Sequence, residues 1–163
     1  MALGNQFKAS PISDITTADT SQQYPLGSTY LEPADEVVAN DSSHEGDRLW
    51  VYVKGGSGGI TAQSVVARAT GTSPFTGIIG VAANTAAEVI GISTYAIAAD
   101  SYGWVIRRGC AEADGLSVTQ GVDIVPAADG EVNDVGSSEE DHIIGTALDA
   151  ASTAVGTVFL TLA

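Results

Sequence analysis

The sequence predicts a mainly β protein, and three observations predict it. Beyond Arg48 the chain runs as short stretches of β-branched and aromatic residues cut by glycine, the pattern of brief strands. Turn signals recur between these stretches, at Asp114-Gly115, Asp129-Gly130 and Val135-Gly136-Ser137, with spacings suited to an antiparallel barrel or sandwich. No segment sustains the apolar stripe of an amphipathic helix.

Two regions differ in texture, and they divide the chain into an N-terminal arm over 1–46 and a β body over 47–163. The arm is polar and aperiodic, with single apolar residues at Phe7, Ile12, Ile15, Tyr24, Leu26, Tyr30 and Leu31. Such a stretch builds no core of its own, so these residues read as anchors of an extended, largely irregular segment laid on another surface. The body opens with Leu49-Trp50-Val51-Tyr52-Val53, an aromatic and β-branched run flanked by Arg48 and Lys54. Gly55-Gly56-Ser57-Gly58-Gly59 follows as a loop. Further strands are expected within 63–67, 77–82, 88–93, 102–107, 110–113, 117–119, 121–125, 142–147 and 155–162. The last shows the alternation of a half-buried strand. Alanine-rich 82–89 is the best place for a short turn of helix. An Ile-Ile-Gly-x-Ala echo links 78–82 with 143–147, which reads as two β segments meeting the same packing demand, with glycines where strands cross closely.

Composition excludes whole classes of function. Six basic against twenty acidic residues give 163 residues a net charge of −14. Six dispersed cations cannot replace the counterions of DNA or RNA, and an acidic surface is repelled by anionic membranes. Nucleic acid and membrane are therefore not expected partners. No apolar run is long enough to span a bilayer, and the first residues lack a basic and apolar leader, so a soluble protein made in the cytosol is expected. Charged residues make up only 16%, replaced by 24 Ala and 19 Gly, a composition suited to close, flat packing between subunits.

The same reading finds poor material for catalysis. His44 and His142 stand far apart in acidic contexts and read as solvated loop residues, without the spacing of a zinc site. Cys110, the single cysteine, falls in a strand and reads as a small buried hydrophobe. Ser93, in Gly91-Ile92-Ser93-Thr94-Tyr95, lacks the terminal glycine of a nucleophile elbow. The acidic stretch 129–134 lacks the order of an EF-hand, and the glycine loop at 55–59 lacks the Lys-Ser/Thr of a phosphate loop. No catalytic residue, cofactor or metal is expected, and the protein reads as a non-enzyme.

A succession of motifs carries a resemblance. Tyr24-Pro25-Leu26-Gly27-Ser28 is followed by Gly46-Asp47-Arg48-Leu49-Trp50-Val51-Tyr52-Val53-Lys54, then by Ala98-Ala99-Asp100-Ser101-Tyr102-Gly103-Trp104-Val105-Ile106-Arg107-Arg108-Gly109, and finally by Ile144-Gly145-Thr146-Ala147-Leu148-Asp149-Ala150 before an apolar C-terminal strand. Together, over about residues 20–163, they resemble the capsid decoration, or cement, proteins of tailed phages. The resemblance implies a β-barrel or β-tulip body, a homotrimer, and a place on the outer surface of the virion head. It also implies an arm that clamps the major capsid protein, here through Phe7, Ile12, Tyr24, Leu26, Tyr30 and Leu31. Other β-rich virion parts (tail tube, baseplate or fibre) share the acidic β character, and a small β-rich enzyme or binding module is the more distant alternative.

Overall fold

In the computed structural model the described residues are 15–40, 44–71, 73–82, 84–136 and 140–162. Their strands are β1 (Thr29–Glu32), β2 (Arg48–Gly55), β3 (Val65–Arg68), β4 (Thr76–Ile79), β5 (Val89–Ser93), β6 (Tyr102–Val118), β7 (Asp123–Pro126), β8 (Val132–Asp134), β9 (Gly145–Ala147) and β10 (Ala151–Thr161). One seven-residue helix, α1 (Ala34–Asn40), follows β1. The mainly β prediction holds. All ten strands form one sheet in the order β1-β2-β4-β3-β5-β6-β10-β9-β7-β8.

Two additional pairings, β2 with β6 and β6 with β8, bend that sheet back on itself twice. One circuit of pairings runs β2-β4-β3-β5-β6, and a second runs β6-β10-β9-β7-β8. Both partial rings share β6. Only a long strand can serve both, and β6 spans 17 residues. The sequence divides this strand into three, because Gly109 and Asp114-Gly115 look like breaks. Neither is one. Gly109 has φ +100, and a side chain there would run into the Asp47 carbonyl oxygen. Beside it the β2–β6 register slips, Leu49 facing Arg108 and Trp50 facing Ile106. This is a bulge, and it switches which residues face the core: Trp104 and Ile106 before it, Ala111 and Ala113 after it. Asp114-Gly115 lies within the strand, where Val155 and Ala154 of β10 pair with it.

The main core runs beneath both circuits. Trp50, Tyr52, Val65, Ile92, Trp104 and Ile106 come from the first, and Ile124, Val132, Ile144, Val158 and Leu160 from the second. Val51, Val53, Val66, Ile90 and Val105 turn the other way and make a smaller cluster with Ile60 and Ile97. β2 is thus buried on both faces, which explains its unbroken apolar run.

Other expectations change in detail. No helix forms over 84–89 among the described residues: Asn84 Oδ1 accepts the Val81 N–H at 2.8 Å, and Glu88 Oε2 accepts the Thr85 N–H at 2.9 Å. These local bonds offer the backbone an alternative to helix. His44 is not a solvated loop residue but is buried. The two halves of the Ile-Ile-Gly echo do not pair with each other. Each glycine still allows a close approach: a Cβ at Gly80 would stand 2.8 Å from Val65 Cγ1, and one at Gly145 would strike the Phe159 carbonyl oxygen. Asp129-Gly130 turns as predicted, with φ of 56° and 83°.

Candidate interaction surface

The N-terminal segment lies on the body from Ile15 onward. Asp19 and Tyr102 exchange two backbone hydrogen bonds, both 2.8 Å, in an isolated antiparallel bridge. Beyond it Tyr24 places its ring edge-on to Tyr52 (centroids 5.2 Å) and tilted against Trp104 (5.3 Å), while Tyr102 stacks on Tyr52 at 6.2 Å. The Tyr52 hydroxyl donates to Asp19 Oδ2 and accepts the Gln23 N–H, both at 3.1 Å. Burial, reinforced by the Asp19 carboxylate, pushes the Tyr52 phenol up to about 12. An aromatic box of Tyr52 from β2 with Tyr102 and Trp104 from β6 therefore receives this segment.

β1 then joins β2 in antiparallel register, Thr29 with Val51, Tyr30 with Trp50, Leu31 with Leu49 and Glu32 with Arg48. Its end is fixed by a buried polar cluster. Glu32 is 1% exposed, and its Oε2 accepts the Trp50 Nε1–H at 2.9 Å and lies 3.8 Å from Arg48 Nη1. Arg48 Nε donates to the Cys110 carbonyl of β6 at 2.9 Å, so the cluster ties β1, β2 and β6 together. Tyr30 donates its hydroxyl to Glu36 Oε2 of α1 at 2.7 Å, and burial together with that bond pushes its phenol up to about 12.

The residues expected to anchor the arm divide three ways. Phe7 and Ile12 lie outside the described residues. Tyr24, Leu26 and Tyr30 are partly buried against the chain's own core. Leu31 stays open, 57% exposed on β1. Sequence reading did not single out a second open strip, Val155 and Phe159 on the outer face of β10, with exposed Leu148 following β9. The alternation over 156–162 was its only signal. Opposite this strip β6 carries Arg108, Glu112 and Asp114.

Among the described residues no group of three or more His, Cys, Asp or Glu side chains is placed to hold a metal ion. Cys110 is buried, and Asp134 Oδ1 accepts the Thr119 N–H at 2.8 Å as a turn contact. His142 sits 3.4 Å from Asp141. No described helix is long and apolar enough to cross a membrane. The arrangement offers binding surface: a strand at the border of the sheet, an exposed strip on its outer face, and acidic loops.

No protein family matches the chain by its sequence profile, and no curated protein matches it. A similar fold occurs in a solved structure, the head fiber gp8.5 N base of bacteriophage phi29. The TM-score is 0.55 at 10% identity, over 71% of this chain and 96% of the other. At that identity the likeness is one of fold.

Proposed function

We propose that this protein is a structural component of a phage head, one that binds the outer surface of the assembled lattice and stabilises it by bridging neighbouring major capsid protein subunits. The observation that carries the reading is the fold shared with the phi29 head fiber base. The motif succession from Tyr24 to Leu148 supports the same class. A ligand that binds only the assembled lattice stabilises that state in proportion to its occupancy, and packed DNA supplies the outward load to be resisted. Self-association as a trimer would present three contacts at once and add avidity.

The segment that clamps is then the part of the arm not used at home. Tyr24, Leu26 and Tyr30 cover the chain's own core, so removing residues 1–30 would strip the aromatic box as well as the arm. Removal of 1–14 spares it, and Phe7 and Ile12 go with that cut. Full-length protein is expected to co-sediment with empty heads and not with free capsid subunits, with a trimer mass by light scattering. The 1–14 deletion is expected to lose at least about tenfold in head affinity, the scale of one lost anchor pair. Failure of the full-length protein to bind heads overturns the reading, and undiminished binding by the deletion overturns the arm. Because the neighbour is a fiber base, a second reading is a fibre component. Electron microscopy separates the two: a decoration protein covers the lattice repeatedly, whereas a fibre part marks isolated positions.

A further inference from the structure

Among the described residues β1 alone lies outside the two circuits of pairing, so its outer border is where the sheet remains open. The phase of its hydrogen bonds follows from one contact. The Tyr52 N–H donates to the Ser28 carbonyl at 2.8 Å. Antiparallel ladders bond alternate pairs, so Tyr30 and Glu32 turn their backbone groups to β2, while Thr29 and Leu31 turn theirs outward. Among the described residues Leu31 is also the most exposed large hydrophobic one, at 57%, standing cross-strand from Leu49. β1 is short and carries the inward charge of Glu32, but it lacks three other guards of an edge strand: lysine, proline and a register slip within Thr29–Glu32.

The charge around this border is mainly acidic, with one exposed cation, Arg108, in register with Leu49 across β2 and β6. Asp35 and Glu36 follow it on α1, and Glu45 and Asp47 precede β2; all four are exposed. The nearest cation, Arg48, is 6% exposed and committed to Glu32 and the Cys110 carbonyl. A second copy approaching through its own β1 would set these acids against themselves. We infer that β1 is an acceptor strand for an extended segment of a different protein, one with an apolar residue beside Leu31 and lysine or arginine flanking it. Backbone bonds to Thr29 and Leu31 supply the attachment, Leu31 and Leu49 the apolar contact, and the acidic rim the choice of partner. The inference deepens the head-binding reading and rests on it for where such a strand is met.

The test uses the full chain, labelled with nitrogen-15, and two peptides of one core: acetyl-Lys-Thr-Val-Thr-Val-Thr-Lys-amide and its Glu-flanked counterpart. The Lys-flanked peptide is expected to shift the Thr29 and Leu31 amides and to bind about fivefold or more tighter than the other at low salt, the difference shrinking as salt is added. Leu31→Pro is expected to abolish binding without moving the unfolding midpoint, because the Leu31 N–H is not part of the β1–β2 ladder. Leu31→Ser is the second variant, expected to weaken binding if proline disturbs folding. No binding at millimolar peptide, equal binding of both peptides, or shifts confined to other strands overturns the inference. Shifts that grow with protein concentration alone also overturn it, in favour of a second copy. Peptide binding that succeeds while heads are not bound removes only the head-binding reading.

Discussion

Glu32 gives the sharpest test of how the N-terminal segment is held. Its carboxylate is buried at 1% exposure, 3.8 Å from Arg48 Nη1, and accepts the Trp50 indole N–H at 2.9 Å. At an effective dielectric near 20, charges that far apart attract by about 4 kcal/mol. Removing one partner leaves the other charge buried and uncompensated, so Glu32→Leu and Arg48→Met are each expected to cost about 3–5 kcal/mol. Glu32→Gln keeps an acceptor for Trp50 and is expected to be milder than Glu32→Leu by about 1–2 kcal/mol. The double variant Glu32→Leu/Arg48→Met removes both charges together. It strands the neutral indole N–H and the Cys110 carbonyl rather than a charge, so its cost is expected near about 1–3 kcal/mol, far below the sum of the singles.

Urea unfolding followed by tryptophan fluorescence reads this cycle. With an m-value of about 2 kcal/mol per molar, each single variant lowers the midpoint by about 1.5–2.5 M. Exchange of the Tyr30 amide, which faces β2, should accelerate in the singles, since the cluster pins the end of β1. Singles that cost less than about 1 kcal/mol and add up in the double would refute the reasoning, because a surface-like ion pair behaves in that way.

Three further outcomes follow from the geometry. Gly109→Ala places a Cβ against the Asp47 carbonyl at φ +100 and is expected to cost about 2–4 kcal/mol by urea unfolding, whereas Gly121→Ala, at φ +80 with open space around it, is expected to cost about 1 kcal/mol. Tyr24→Ala removes ring contacts to Tyr52 and Trp104 at 5.2 and 5.3 Å, with an expected loss of about 2–4 kcal/mol and a red shift of tryptophan emission, while Tyr24→Phe keeps both rings and should stay within about 0.5 kcal/mol. Tyr30 and Tyr52 both titrate near 12 rather than 10, so their contribution to stability is complete below pH 10 and lost as pH rises from about 10 to about 12, when the unfolded chain releases protons that the folded one keeps. Absorbance at 295 nm is expected to show the late titration of Tyr30 and Tyr52 in the folded protein, with the Tyr52 part lost in Tyr52→Phe.

The body was legible where local pattern and tertiary role agree. β2, β3, β4, β5, β7 and β10 lie where apolar runs end in glycine or a turn pair, because each strand is short and its apolar residues meet a core. β6 was not legible as one strand, since a glycine that breaks a strand and a glycine that bends one look alike in sequence; only the neighbouring Asp47 carbonyl and the register slip distinguish them. β1 was missed for a different reason. Thr29-Tyr30-Leu31-Glu32 carries a carboxylate at its most buried position, and that burial makes sense only once Arg48 and Trp50 are beside it. Of the arm's apolar residues, Tyr24, Leu26 and Tyr30 pack against the chain's own core, a choice that spacing alone cannot reveal.

The charge of −14 bears on association with opposite signs in two cases. Between copies of this chain it is repulsive: among the described cations Arg48 is buried, Lys54 is paired with Asp100 at 2.6 Å, Arg107 donates to the Ile90 carbonyl at 3.3 Å, and Arg68 and Arg108 are exposed. Little positive surface is left to offset twenty acids, so any oligomer forms through its least charged faces and against the net field. Added salt screens that field, and self-association is therefore expected to tighten as ionic strength rises from 0.02 to about 0.5 M, where the Debye length falls from about 20 to about 4 Å. Binding of a basic strand at β1 draws on the same acids as an attraction and is expected to weaken over the same range. Light scattering and peptide titration on one sample read the two trends separately. Trends of the same sign would mean that the acidic loops do not set the choice of partner, and that packing at Leu31 and β10 does.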